Sequence, residues 1–211
     1  NAPHTPLQAP DDERAQFLVD NPNFYDLVRN SPYMYNANQV SDTKMEQAVR
    51  NEIGDAAFDA MTPTEQQDAI AAKREETIEG FTQARITYAT MVANMDTNIG
   101  RIVTELQNVN ELNNTLIIFL SDNGGYTYSK GAVNYPLDAL KGSVKEGGHK
   151  VPMFVHWPDQ IASGATYDYQ LSSLDFYPTL VNLAGGTIPA GKTLDGSDVM
   201  VDVFAGAIAG P

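Results

Sequence analysis

Thr115-Leu116-Ile117-Ile118-Phe119-Leu120 is a nearly unbroken apolar run, rich in β-branched residues, that ends abruptly in Ser121-Asp122-Asn123-Gly124-Gly125. A strand with one wet face alternates apolar and polar side chains. An uninterrupted run is instead the pattern of a strand covered on both faces, as in parallel sheets. Upstream, Tyr88, Val92, Met95, Ile99, Ile102, Val103 and Leu106 recur at helical spacing, which predicts an amphipathic helix from about 82 to 108 lying against a core. Asn113-Asn114 breaks that pattern. Downstream, Val151-Pro152-Met153-Phe154-Val155-His156-Trp157 reads as a second buried strand stopped by Pro158. Leu174 to Leu183 reads as another helix, with Asp175 near its start, Pro178 in its first turns and Gly185-Gly186 at its end. Helix, strand, loop, strand, helix is an α/β order, in which ligands gather beyond the carboxyl ends of the strands.

The first half of the chain is less regular. Residues 1–40 are rich in Pro, Asn and Tyr without a convincing period, and His4-Thr5-Pro6 lies between Pro3 and Pro10, the mark of an extended or turning segment. From Ser41 to about Gly80 the pattern is helical and strongly polar. Thr43 with Glu46 forms one possible capping box. Thr62-Pro63-Thr64-Glu65 forms a better one, with Thr62 as N-cap and Pro63 at the first helical position. These read as short surface helices forming a lid or insertion rather than a core.

Composition excludes several classes of function. With 13 Lys+Arg against 27 Asp+Glu among 211 residues, the formal charge is -14. Such a field repels phosphate backbones and anionic membrane surfaces, so nucleic acid is excluded as a partner. Zero cysteines exclude disulfides, thiolate zinc sites and a Cys nucleophile within these residues. No apolar run approaches the roughly 20 residues of a membrane span. The 42% hydrophobic content suits one globular domain with a sizeable core.

Two clusters could carry chemistry. Asp122 and Asn123 at a strand's carboxyl end offer one anionic and one neutral hard oxygen, suited to Ca²⁺ or Mg²⁺. Gly124 and Gly125 let the backbone turn sharply and approach a ligand. An Asn-Gly pair after a strand equally makes a plain turn. The run Lys141-Gly142-Ser143-Val144-Lys145-Glu146-Gly147-Gly148-His149-Lys150 places lysines in a glycine-flexed loop, where an ammonium can meet an oxyanion such as sulfate or phosphate. The alternative is a solvated loop with ordinary surface lysines. His149 and His156 are weaker candidates. His4, pinned between prolines, could serve as a proton donor or oxyanion ligand, or be an exposed loop histidine.

The order of these segments resembles the sulfatase family, the formylglycine-dependent enzymes of the alkaline phosphatase superfamily. The likeness runs through Asn1-Ala2-Pro3-His4-Thr5-Pro6, the helix from Tyr88 to Gly100, Asn114 to Gly124, Lys141 through Glu146-Gly147-Gly148 to Val151-Pro152 and Trp157-Pro158, then Asp175 to Gly185 and Asp195-Gly196. It implies part of an alkaline-phosphatase-like mixed β-sheet flanked by helices, with a helical insertion over about 25–80, where no likeness is found. It implies that Asp122 and Asn123 hold a divalent cation, usually calcium. It further implies that Lys141 contacts the sulfate group and the leaving-group oxygen, and that His4 is the general acid near the scissile ester oxygen.

The family's Cys/Ser-x-Pro-x-Arg segment, which becomes the formylglycine nucleophile, is missing, as are its early Asp-Asp metal pair and its C-terminal antiparallel subdomain. The expectation is therefore that residues 1–211 form an internal part of one sulfatase catalytic domain, inactive and only marginally stable alone. The parent is expected to cleave a sulfate monoester of a small organic alcohol or glycan, in the periplasm or outside the cell. A phosphate- or phosphonate-ester hydrolase and a non-catalytic sulfated-glycan-binding module are the alternatives. Nothing in the sequence specifies an oligomeric state.

Overall fold

A computed structural model describes residues 10–31, 37–129 and 131–199. His4 and the proline-flanked segment around it lie outside these residues. The chain divides into two compact units, one of residues 1–101 and 120–152, the other of residues 102–119 and 153–211.

The first unit begins with helices where no period was expected: α1 (Asp11–Asp20) and α2 (Phe24–Arg29). The α1 sequence has no apolar face to bury, and none of its residues is buried. It is marked instead by Pro10 ahead of an acidic first turn, Asp11-Asp12-Glu13, which favours a helix start through the helix dipole. Its side chains reach α5 (Pro63–Asn108): Asn94 donates to Glu13 at 2.6 Å and Arg14 to Thr87 at 3.3 Å. Helices α3 (Asp42–Ile53) and α4 (Asp55–Asp59) follow. The expected Thr43 cap does not form. The α3 helix starts two residues earlier, behind Ser41, and Glu46 is taken by Arg50 at 2.8 Å.

The second capping box does form. Thr62 N–H and Thr62 Oγ1 both donate to Glu65 Oε2 at 2.7 Å, and Glu65 N–H donates back to Thr62 Oγ1 at 3.3 Å. From this cap α5 continues for 46 residues, about 69 Å at 1.5 Å per residue. The helix expected from about 82 thus begins some 20 residues earlier, because the single Gly80 at the junction weakens the helix without ending it.

Packing also reverses the expected roles of the two halves of α5. Val28, Val40 and Ile78 form one buried cluster, covered by Phe24 and Phe81. Met45, Val49, Phe58 and Ile70 form another, covered by Met61 and Ala69. The polar 41–80 segment therefore owns a core, whereas Tyr88, Val92, Met95 and Ile102 remain 39–62% exposed. The apolar row along the later half of α5 is covered only in part: Ile86 is buried and Ile99, Val103 and Leu106 are half-buried.

The second unit contains the sheet, in which β1 (Ile117–Leu120) pairs with β2 (Met153–His156). Leu116, Ile118, Met153 and Val155 line a small apolar cavity with Phe176, Thr179 and Leu180 of α7 (Phe176–Leu183). Side chains alternate across a strand, so Phe119 and Phe154 stack on the other face with ring centroids 6.0 Å apart, Phe154 being 64% exposed. Both strands were expected to be covered on two faces. With α7 packed against one side of the two strands, one face is covered. The α7 helix is entered through a capping box in which Ser172 N–H donates to Asp175 and Leu174 N–H donates to Ser172 Oγ. Segment 195–199 is laced to it: Ser197 N–H donates to Asp175 at 2.9 Å, and Val199 N–H to Thr179 Oγ1 at 3.1 Å.

Candidate active site

At the carboxyl end of β1 the backbone turns inside a local hydrogen-bond net. Ser121 Oγ donates to Asn123 O at 2.9 Å, and Asn123 Nδ2 donates to Gly124 O at 2.9 Å. The amide nitrogen of Asn123 is thereby committed to the turn, which orients its Oδ1, the atom a hard cation takes. Asp122 is exposed and forms no ion pair among the described residues. These two adjacent oxygen donors fit part of a Ca²⁺ or Mg²⁺ shell. Among the described residues no group of three or more His, Cys, Asp or Glu could hold a metal by itself.

Gly124 is required for a reason other than a sharp turn. Its N–H donates to Gly148 O at 3.0 Å, and a Cβ there would lie 1.8 Å from Gly147 O. The turn is pressed against α6 (Glu146–His149), whose two central glycines are buried. A Cβ on Gly147 would in turn lie 2.4 Å from Asp138 O and 2.5 Å from Ala139 O. Three segments of bare backbone, 123–125, 138–143 and 146–148, are thus packed more closely than side chains would allow.

Gly125 joins this knot to the lysine loop. Its N–H donates to Asn134 Oδ1 at 2.9 Å, and its carbonyl accepts from Asn134 Nδ2 at 2.9 Å and from the Lys141 N–H at 3.3 Å. Asn134 Nδ2 also reaches Ala139 O at 3.0 Å. Ala139 is held left-handed at φ 72°, a conformation costing about 1–2 kcal/mol for a residue with a Cβ. Asp122 and Lys141, nineteen positions apart, are therefore tied through their backbones to one point.

The lysines of this loop are not equivalent. Lys145 pairs with Asp138 at 2.5 Å and Lys150 with Glu146 at 3.3 Å, whereas Lys141 has no carboxylate partner among the described residues. The Asp138 bond raises the Lys145 pKa, and the Asp138 carboxyl is correspondingly lowered by its bond to that ammonium. Lys145 is committed to holding the loop, and Lys141 is the exposed cation left to meet an anion. His149 ends α6 and His156 lies in β2, both exposed. His4 lies outside the described residues. Asn134 was not found from sequence: an isolated Asn before Tyr135-Pro136 has no period or spacing to mark it.

The arrangement is thus a turn with two oxygen donors after a strand, with a cationic loop hydrogen-bonded to it. The sulfatase family model matches residues 1–186, and the chain belongs to the sulfatase family. It is 40% identical to human arylsulfatase A over 107 residues, covering 50% of this chain and 21% of that protein. It is 34% identical to human steryl-sulfatase over 120 residues, covering 54% and 21%. Among solved structures, Ps i-CgsB in complex with k-i-k-neocarrahexaose superposes with a TM-score of 0.62 at 33% identity, covering 99% of this chain and 33% of that one. The yidJ structure from Bacteroides fragilis at 22% identity, with a TM-score of 0.59, shares the fold over 99% of this chain and 36% of its own length. The chain thus spans about a fifth of the curated relatives and a third of the structures, and its α/β fold is alkaline-phosphatase-like. No helix among the described residues is long and apolar enough to cross a membrane.

Proposed function

We propose that this chain forms part of a sulfatase hydrolysing sulfate monoesters of an organic alcohol or sugar, supplying two cation ligands, the sulfate-contacting lysine and the acid. One observation carries the reading: Lys141 N–H rests on Gly125 O, three residues beyond Asp122, while the Lys141 ammonium has no carboxylate partner among the described residues. Asp122 and Asn123 would hold Ca²⁺, or Mg²⁺, through carboxylate and amide oxygens. When bound, the cation supplies charge neutralisation at the sulfate oxygens, and a formylglycine supplies the nucleophilic oxygen. Lys141 adds a second positive charge as negative charge shifts to the leaving oxygen, and His4 gives that oxygen a proton so that the alcohol leaves neutral. The neocarrahexaose complex of Ps i-CgsB supports a sugar as the alcohol part of the substrate. The reading places the enzyme in the periplasm or outside the cell.

No Cys/Ser-x-Pro-x-Arg segment lies in these 211 residues, so activity is expected from the chain expressed with its flanking coding sequence and not from the chain alone. That longer protein should hydrolyse 4-nitrophenyl sulfate, lose activity to EDTA and regain it with Ca²⁺. Lys141→Ala should lower kcat/KM by about 10²–10³-fold, the usual cost of one oxyanion-stabilising group. Faster turnover of 4-nitrophenyl phosphate would replace the reading with a phosphate-ester hydrolase, and sulfated-glycan binding without turnover would replace it with a binding module.

A further inference from the structure

We infer that Asn134 is a positioning residue of this site: its side-chain amide sets the distance between the Asp122-Asn123 cation turn and the Lys141 loop. The inference rests on the sulfatase reading and deepens it. One carboxamide makes three bonds, accepting from Gly125 N–H at 2.9 Å and donating to Gly125 O at 2.9 Å and Ala139 O at 3.0 Å. The paired bonds to Gly125 imitate a strand partner, so the residue after Gly124 is held as though in a ladder although neither strand of the described residues pairs with it. The third bond holds the carbonyl of left-handed Ala139, two residues before Lys141. Gly125 O, gripped by Asn134, is also the acceptor for Lys141 N–H.

Neither of the two nearest residue types fits this role. Asp in place of Asn keeps the acceptor but brings a carboxylate against two carbonyl oxygens, and Gln is longer by a methylene where all three bonds of Asn134 are already at 2.9–3.0 Å. Asn134 has no part in the two buried apolar clusters, which lie between Phe24 and Phe81, so its replacement leaves the packed core intact. Lys145–Asp138, an exposed pair at 2.5 Å in the same loop, provides a comparison: it braces the loop without touching Gly125.

The test compares Asn134→Ala, Asn134→Asp and Asp138→Asn in the longer protein. Amide hydrogen exchange, read without substrate, should accelerate at least tenfold at Gly125 and Lys141 in both Asn134 variants and stay near the wild-type rate in Asp138→Asn. The Ca²⁺ concentration for half-maximal 4-nitrophenyl sulfate hydrolysis should rise at least tenfold and kcat fall at least tenfold in the Asn134 variants, with the Asp138 variant within threefold. A lowered Tm with unchanged exchange at Lys141 and unchanged Ca²⁺ dependence would make Asn134 a structural residue and overturn the inference. Should Asn134→Ala not fold, Asn134→Asp, which keeps the volume, carries the same comparison. A wild-type protein without Ca²⁺-dependent sulfatase activity removes the sulfatase reading and this inference with it, whereas active wild type with Ca²⁺-indifferent variants removes this inference alone.

Discussion

Single side chains in this protein are assigned to tasks by their partners more than by their type. Among the three lysines between 141 and 150, Asp138 and Glu146 occupy two, and the unpaired one is the candidate anion contact. The same logic makes Glu79 a pH-sensitive tie between α2 and α5. The Tyr25 hydroxyl bond at 2.5 Å, then the Gln83 amide, hold its carboxyl below the ordinary value. A lowered folded pKa means stability that is present above the unfolded value, about 4.3, and is lost as pH falls through the folded one. Tm is therefore expected to be level above about pH 5 and to fall as pH drops below about 4. Glu79→Gln should flatten that decline, measured by circular dichroism melts from pH 3 to 7; an unaltered pH profile would show that other carboxylates carry it. At Gly124, where a Cβ would sit 1.8 Å from a carbonyl oxygen, Gly124→Ala should abolish Ca²⁺-dependent activity through displacement of the turn.

Elements add what single residues cannot. The α5 helix is begun by a reciprocal cap and carried by tertiary contacts from shorter helices. Its side chains Glu75 and Glu79 take Arg29, and Lys73 takes Glu52. Exposed pairs of this kind are worth little each, so the clusters around Ile70 and Ile78 hold the assembly. Thr62→Ala is expected to cost about 1 kcal/mol, the usual loss of an N-cap. Phe58→Ala, at 2% exposure and with the Arg50 guanidinium 4.3 Å from its ring centroid, should cost about 3–5 kcal/mol. Urea titration of both variants checks the ranking; equal losses would mean that the cluster is not the principal support of the helical segment. Five threonines on α5, at 77, 82, 87, 90 and 97, return their hydroxyls to the carbonyl four residues earlier, which at the buried Thr82, Thr87 and Thr90 satisfies polar groups on a closely packed face.

For the whole molecule, the exposed row Tyr88, Met91, Val92, Met95 and Ile102, together with the bare sheet face bearing Phe154, is more apolar surface than a soluble monomer usually shows. The isolated 211-residue chain is thus expected to self-associate between about 1 and 100 µM. Size-exclusion chromatography with light scattering checks this, and a stable monomer would count against it. The α/β order, the cap at Thr62, the strand ending in Asp122-Asn123 and the helix before Gly185 were legible in the sequence, because each depends on neighbours within a few residues. The helices α1 and α2, the early start of α5, the core inside the polar segment and the place of Asn134 were not. Helix period reports which face is apolar and not which part of it is covered, so the row from Tyr88 to Leu106 could not reveal its own exposure. Local chemistry by itself named the candidates for holding a cation or meeting an anion. Only the tertiary structure decided that the two loops share one carbonyl, since backbone packing at glycines across 123–148 leaves no trace in residue periodicity.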